Sequence, residues 1–208
     1  MANTQGSSSG SSHGKLIAVV VAAAVVIVLA VLSAFVWPGW AVRSDGGDPQ
    51  QNTQQEQEGQ RETTPSIEPV ALPDDASELL KAMPDTVLDF ARTAAGASGS
   101  WTTSNPLEEY TLTYSTGDAA QDVTLIVAQW ATADEARTQY DALAGALTGD
   151  ELGSGEVKVS GETTGNYVAR VDASDDAKAV AVWQNDTAVF QATGARESVE
   201  DFYMEFPL

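Results

Sequence analysis

An uninterrupted apolar segment, Leu16 to Trp37, is the feature that most limits how this chain can fold. Its 22 residues contain only one polar side chain, Ser33. As a helix at about 1.5 Å per residue, such a segment is about 33 Å long, which matches the roughly 30 Å hydrocarbon core of a bilayer. Lipid offers backbone groups no hydrogen-bond partners, so a helix is favoured despite the many valines and isoleucines. The sequence predicts a transmembrane helix over residues 16–37.

The residues beside this segment indicate its orientation and its ends. Trp37 and Trp40 are placed where interfacial aromatic side chains lie, and Pro38 ends the helix. Lys15 on the N-terminal side favours a cytoplasmic N-terminus, hence a single-pass membrane protein with an extracytoplasmic C-terminal part. The alternative is a secretory signal cleaved near Ala41, although cleaved signals have shorter apolar regions of about 7–15 residues.

Two segments have the composition of chains that do not fold. Residues 1–15 are rich in Ser and Gly, and we expect a disordered cytoplasmic tail there. Residues 38–72 are dominated by Gln, Glu, Thr, Gly and Pro, with few apolar side chains before Ile67. Such a segment buries too little apolar surface to offset its ordering entropy. We expect a flexible extracytoplasmic linker between the membrane and a domain over residues 73–208.

Composition excludes several kinds of chemistry. The chain has no cysteine, one histidine, and 30 acidic against 10 basic residues, for a net charge of -20. Disulfides, thiolate metal sites and lipidated cysteines are therefore impossible. His13 lies in the N-terminal tail, which argues against histidine-dependent catalysis in the domain. The negative charge argues against nucleic acid as a partner. We find no cofactor-binding fingerprint and no catalytic motif, and expect a protein that is not an enzyme.

Hydrophobic periodicity predicts the elements of the domain's first half. Leu79, Leu80 and Met83 have helical spacing, which Pro84 interrupts. Val87, Phe90 and Ala91 then resume the apolar face of the helix. Residues 94–105 are small and polar, which predicts a loop. Strict alternation over residues 110–115 indicates a half-buried strand, and the apolar residues 123–130 a second strand. Thr132 and Glu135 form a capping box that begins a helix.

The second half is predicted to contain four strands and a last helix. After a break at residues 149–155, apolar residues alternate over 157–159, 167–171, 179–183 and 187–192, with a hairpin turn at Asn185-Asp186. Helical spacing then resumes from Val199 to Phe206. Hairpins separated from helices predict an α+β domain with a mostly antiparallel sheet and about three packed helices. Each half ends as a hairpin followed by a helix, which raises the possibility of an internal repeat.

Candidate site residues fall into three groups. Asp172, Asp175 and Asp176 are weak metal candidates, because calcium prefers oxygen ligands on loops but the spacing does not follow a calcium-loop pattern. A pocket between sheet and helices could bind a small ligand, lined by the aromatic residues Tyr110, Trp130, Tyr140 and Trp183. Trp101 lies in a loop of small polar residues. It is either an exposed anchor for a partner or a buried side chain that closes one end of the sheet.

The layout resembles that of the small membrane-anchored extracytoplasmic proteins of high-GC Gram-positive bacteria. The Ser/Gly tail, Val/Ala-rich anchor, Gln/Glu/Pro linker and acidic Ala/Thr/Asp/Val-rich domain carry this resemblance, without a diagnostic motif. In element order the domain is loosely similar to the Mog1/PsbP-like α+β sandwich of some envelope lipoproteins, although it lacks their lipidated cysteine. The resemblance implies a role in the cell envelope and assigns no site residues.

Three functions remain open on sequence alone. The first is a non-enzymatic, membrane-anchored interaction or accessory domain with an envelope protein as its partner, held to the bilayer through residues 16–37. The second is an envelope domain that binds a small ligand. The third is a hydrolase that uses paired carboxylates, which no recognisable motif supports.

Overall fold

The computed structural model describes residues 63–207. The predicted cytoplasmic tail, the transmembrane helix over residues 16–37 and the linker as far as residue 62 lie outside the described residues. Within residues 63–207, no helix has the length and apolar character needed to cross a bilayer. The domain predicted for residues 73–208 falls almost entirely inside this part of the chain.

The described residues form three α-helices and eight strands. The helices are α1 (Glu78–Ala82), α2 (Ala133–Ala146) and α3 (Arg196–Glu205). Short 3₁₀ turns occupy Thr102–Ser104 and Ala119–Gln121. The strands are β1 (Thr86–Val87), β2 (Phe90–Ala97), β3 (Glu108–Ser115), β4 (Val123–Gln129), β5 (Glu151–Val159), β6 (Glu162–Asp172), β7 (Asp175–Asn185) and β8 (Ala188–Ala195).

All eight strands belong to one antiparallel sheet with the order β1-β2-β3-β4-β8-β7-β6-β5. The first half of the domain is a meander of four strands followed by α2, and the second half is a meander of four strands followed by α3. The two meanders meet where β4 pairs with β8. The predicted α+β class, with a mostly antiparallel sheet and about three helices, is confirmed.

The sheet has a separate hydrophobic core on each face, because successive side chains of a strand point to opposite sides. At the central ladder, Val127 is paired with Phe190, and both belong to the core that contains α1 and α3. Their neighbours Ala128 and Val189 belong to the core under α2. The helices that end the two halves, α2 and α3, therefore lie on opposite faces of the sheet, and α1 shares a face with α3.

The first half contains more strand than predicted. Residues 87–91 were expected to extend a helix and residues 94–105 to form a loop, but β1 covers Thr86–Val87 and β2 covers Phe90–Ala97. The helix and the first four residues of the predicted loop were wrong, because pairing with β3, for example Ala95 with Leu112, overrides the weak local pattern of small residues. Residues 98–105 lie outside the strands, as predicted.

A smaller error concerns the predicted break at residues 149–155. It is largely strand, since β5 begins at Glu151. Gly155 allows the ring of Tyr167 to lie against the β5 backbone, because a Cβ at this position would be 2.9 Å from the ring. The glycine is there for packing, and its presence in the sequence suggested a turn instead.

Local signals were accurate where the hydrogen bonds are local. The capping box of α2 is present, with the Glu135 amide donating to Thr132 Oγ1 and the Thr132 amide donating to Glu135 Oε2. The last helix is α3, and Val199, Phe202 and Phe206 are buried in the core, as its spacing predicts. The capping box is a contact between residues three apart, and the helical spacing of apolar residues is likewise readable over a few turns.

The residues that lead into the domain are attached to it by a buried arginine. Arg92 is 1% exposed and donates through its guanidinium to the carbonyl oxygens of Met83, Pro84 and Val70, at 3.1, 3.0 and 3.2 Å. The amide of Val70 donates in turn to the Arg92 carbonyl at 2.8 Å. The last residues of the segment assigned to the linker thus lie along the edge of β2.

Candidate functional site

Acidic side chains greatly outnumber basic ones among the described residues. They contain 25 acidic and 7 basic side chains. Each of the seven basic side chains has a carboxylate partner within 4.0 Å: Lys81 with Glu78, Arg92 with Asp85, Arg137 with Asp141, Lys158 with Glu156, Arg170 with Glu151, Lys178 with Asp175, and Arg196 with Glu200. The surface of the domain therefore carries a large excess of negative charge with its cations already neutralised.

Four of these acidic residues, Asp89, Asp176, Glu197 and Asp201, line a cleft at the end of the sheet where α3 begins. The acidic cleft, as we name it, has a volume of about 490 Å³ and is bounded by the β1–β2 turn, the β3–β4 loop, the start of β7 and the first turns of α3. Its polar lining residues include Asp89, Gln121, Asp176, Arg196, Glu197 and Ser198. Pockets of about 300–1,000 Å³ are of the size that binds small molecules.

The beginning of α3 gives this cleft a second electrostatic component. The residue at its N-cap is Ala195, whose side chain cannot accept a hydrogen bond from the first turn. The first amide groups of a helix lack partners within the helix, and they carry a partial positive charge. Arg196 at the same place donates from Nε to Glu200 at 2.9 Å, and Ser198 is 7% exposed. Hydrogen-bond donors at the start of α3 and carboxylates therefore both lie at the acidic cleft.

A second depression of about 550 Å³ contains the three predicted metal candidates, Asp172, Asp175 and Asp176. Hydrogen bonds from Ser174 hold the pKa of Asp172 below its ordinary value. Asp175 accepts from the Ala177 amide and pairs with Lys178. Asp176 also lines the acidic cleft. Within residues 63–207, no three acidic or histidine side chains form a group suited to a metal ion.

The four aromatic residues predicted to line one ligand pocket lie on two faces of the sheet. Tyr110 and Trp183 belong to the core under α1 and α3, whereas Trp130 and Tyr140 belong to the core under α2. The prediction of a common pocket was wrong, because the sheet separates the two pairs. Burial raises the pKa of both phenols, and Tyr110 donates its hydroxyl to Ser77 at 3.0 Å.

Trp101 is buried and cannot be the exposed partner anchor that was one of its two interpretations. It is 7% exposed, and its ring stacks on Trp130 at a centroid distance of 6.2 Å. The carboxylate of Glu109 accepts from the Ser100 amide at 2.7 Å and from the Trp101 amide at 3.0 Å, and Glu109 is itself 7% exposed. The other interpretation, a side chain that closes one end of the sheet, is the one that fits this packing.

Neither Glu109 nor Arg92 was identified from sequence as a structurally important charge. Glu109 is in a strand with alternating polar positions, which usually face solvent. Its burial depends on residues before β3, since the amides of Ser100 and Trp101 donate to its carboxylate. Similarly, Arg92 follows an apolar pair, Phe90-Ala91, but nothing local indicates that three carbonyl groups converge on it. For Arg92, the one signal in the sequence is that this charged residue directly follows two apolar residues.

One carboxylate with a raised pKa lies away from both depressions. Burial raises the pKa of Asp186, which occupies the β7–β8 turn with a left-handed φ of 50°. Asp186 is not among the residues that line the acidic cleft or the second depression. A catalytic carboxylate is expected to combine a perturbed pKa with a place in a cleft, and Asp186 does not combine them in either of these two.

No protein-family model matches the sequence, and no curated protein matches it. Among solved structures, the chain is similar to a GTP-binding regulator from Thermotoga maritima, with 13% sequence identity and a TM-score of 0.38. The match covers 57% of this chain and 76% of the other. A likeness of this size does not carry a function from one chain to the other.

Proposed function

We propose that this chain is a single-pass membrane protein whose extracytoplasmic α+β domain is a non-enzymatic interaction module of the cell envelope. Its partner is a protein with a positively charged surface. Residues 16–37 anchor the chain in the bilayer with the N-terminus in the cytoplasm, and the domain at residues 73–208 meets its partner outside. A retained anchor rather than cleavage near Ala41 is part of the proposal.

The neutralisation of the domain's cations is the observation that carries this proposal. All seven basic side chains within residues 63–207 pair with carboxylates, so 18 of the 25 acidic residues remain in excess. A surface of this kind repels phosphates and anionic lipid headgroups, and it attracts a basic protein surface over several ångströms. A high net charge also keeps a protein soluble without any partner. The proposal therefore requires that the partner bind at one defined place on the domain.

The end of the sheet where α3 begins is the place where the contact is proposed. The acidic cleft and the depression beside it share Asp176, and the intervening β6–β7 turn includes the exposed residues Ala173 and Ser174. At the opposite end of the sheet, Glu162 is the first residue of β6, next to the β5–β6 turn, and it is also exposed. The two turns therefore offer matched positions at opposite ends of one domain.

Photocrosslinking of the full-length chain in intact cells tests the proposed contact. A photoreactive residue replaces Ala173 in one variant and Glu162 in the other. One dominant protein adduct at position 173 and none at 162, lost when Asp172, Asp175 and Asp176 are changed to Asn together, supports the proposal. Equal adducts at both positions, or none at 173, contradict it.

Labelling of single cysteines tests the orientation, because the natural chain has no cysteine. Ala173→Cys is expected to react with a membrane-impermeant maleimide on intact cells, whereas Ser8→Cys reacts only after the membrane is opened. With an epitope tag added before Met1, immunoblotting of the membrane fraction then shows whether the labelled chain keeps its N-terminus. Protection of Ala173→Cys in intact cells contradicts an extracytoplasmic domain, and loss of the tag contradicts a retained anchor.

A further inference from the structure

We infer that this chain forms a homodimer through strand β5, which pairs antiparallel with β5 of a second copy and joins the two sheets into one. The two-fold axis passes between the two copies of Val157, and Glu156 of each copy lies opposite Lys158 of the other. No residue of β5 lines the acidic cleft or the depression beside it. The dimer is therefore separate from the protein contact proposed above and does not depend on it.

Strand β5 is the long edge of the sheet in the described part of the chain. It covers Glu151–Val159 and pairs there only with β6, whereas β1 at the other edge has two residues. The register is irregular at Leu152 of β5 and at Thr164 of β6, which have no paired residue. Residues 153–159 are therefore extended without a bulge of their own. A regular, exposed edge of this kind is a template on which another strand can pair.

The backbone groups that a second strand can use belong to Glu156 and Lys158. Thr164 Oγ1 donates to the carbonyl oxygen of Val157 at 3.5 Å, which places that carbonyl on the β6 side of the strand. In an antiparallel ladder, the backbone groups of successive residues point to alternate sides. Those of Glu156 and Lys158 therefore point away from β6, toward the open edge.

The charges of β5 favour a second copy as the occupant of this edge. The domain as a whole is strongly acidic, but Glu156 and Lys158 are a balanced pair, 3.0 Å apart and each 55% exposed. Opposite residues of an antiparallel pair lie on the same face of the sheet. A two-fold axis at Val157 therefore surrounds each charge with opposite charges, whereas a register centred on Glu156 or on Lys158 places like charges opposite each other. A lysine on an edge strand ordinarily hinders pairing, but in this register it gains a carboxylate from the other copy.

The other face of β5 adds apolar contacts to the same register. Leu152, Val157, Tyr167 and Tyr203 are half-buried and pack against the core under α1 and α3. At the axis the two Val157 side chains meet in a pair without backbone hydrogen bonds, in which Cα atoms are about 4.5 Å apart. Pairing thus covers apolar surface that a single copy leaves partly open to water.

Disulfide formation between single cysteines tests the register, because the natural chain has no cysteine. In isolated membranes, the full-length Val157→Cys chain is expected to form a linked dimer under mild oxidation, since disulfides join Cα atoms about 4.4–6.8 Å apart. Ser154→Cys is the control. In the proposed register its mate lies opposite residue 160, about 20 Å away at about 3.4 Å per residue. Equal yields at positions 154 and 157 overturn the inference.

A second pair of cysteines keeps the test valid if Val157→Cys disturbs the packing. Glu156→Cys and Lys158→Cys are at exposed positions and are placed on chains with tags of different size. Expressed together, they are expected to form a disulfide between unlike chains and none between like chains. The absence of linked dimers in both cysteine experiments overturns the inference.

Exchange of the two charges tests their role in the dimer. In the Val157→Cys chain, Glu156→Lys is expected to lower the yield of linked dimer about tenfold, because both opposite-charge pairs become like-charge pairs. Adding Lys158→Glu restores complementarity and should restore the yield. A yield that Glu156→Lys leaves unchanged, or that Lys158→Glu does not restore, overturns the register. In the photocrosslinking experiment above, an adduct at position 162 with the mass of two chains reports this dimer, whereas a partner protein gives a different mass.

Discussion

Replacement of Arg92 by methionine is expected to lower the free energy of unfolding by about 3–5 kcal/mol, because hydrogen bonds from a buried charged donor contribute about 1.5–3 kcal/mol each. The carbonyls of Met83 and Val70 lose the guanidinium as donor, whereas the Pro84 carbonyl still accepts from Tyr114 at 2.8 Å. Methionine fills most of the vacated volume, so the cavity contribution is small. The lost free energy of unfolding therefore reports mainly on the Met83 and Val70 carbonyl groups, which are left without the guanidinium as donor.

The ion pair between Arg92 and Asp85 is expected to contribute much less than these hydrogen bonds. The two side chains approach to 2.6 Å, but the Asp85 side chain is 71% exposed, so solvent screens the pair. Asp85→Asn should therefore cost less than about 1 kcal/mol. Arg92→Lys should fall between the two variants, because an ammonium group cannot reach all the acceptors of the planar guanidinium.

Urea denaturation of the full-length chain, followed by tryptophan fluorescence, measures these differences. At a typical slope of about 2 kcal/mol per molar urea, Arg92→Met should lower the midpoint by about 2 M. A midpoint for Arg92→Met equal to that of Asp85→Asn would refute the reasoning, since it would show that the buried hydrogen bonds contribute no more than the exposed ion pair. A changed slope would instead indicate an altered denatured state.

Three further variants test other parts of the domain. Gly165→Ala should destabilise it by more than about 2 kcal/mol in urea denaturation, because the new Cβ would be 1.9 Å from the Gln184 carbonyl oxygen, which is backbone. Glu109→Gln should cost about 1.5–3 kcal/mol, because it removes a charged acceptor, and it should change the near-ultraviolet circular dichroism of the Trp101 stack. Asp186→Asn should stabilise the domain at pH 7, because burial raises the pKa of Asp186 and so penalises its ionised form in the folded state; unfolding midpoints against pH should show the gain vanish below the ordinary aspartate pKa.

Each of these three predictions has a matched control variant or a stated result that would contradict it. Gly145→Ala in α2 introduces a Cβ with no atom within 4 Å and should slightly stabilise the helix. Equal effects of the two glycine variants would contradict the steric argument. An unchanged circular dichroism spectrum in Glu109→Gln would show that the carboxylate does not position the stack. A gain in Asp186→Asn that persists unchanged at acidic pH would show that it does not come from ionisation.

The sequence determined those parts of the domain whose hydrogen bonds and contacts are local. The capping box at Thr132, the alternation of Tyr110, Leu112 and Tyr114, and the helical spacing of the last helix each describe a few consecutive residues. Local periodicity also indicated the α+β class, since it predicts each element separately. Composition excluded cysteine chemistry outright, and this exclusion needs no structure at all.

The tertiary structure decided which elements cover which face of the sheet and, through that, where a cleft opens. Trp130 and Trp183 have similar surroundings in the sequence, but the pairing of β4 with β8 and the one-sided placement of each helix put them in different cores. The acidic cleft brings together Asp89, Asp176 and Ser198 from three distant segments. Register and helix placement depend on contacts between residues far apart along the chain, and a local pattern contains no information about them.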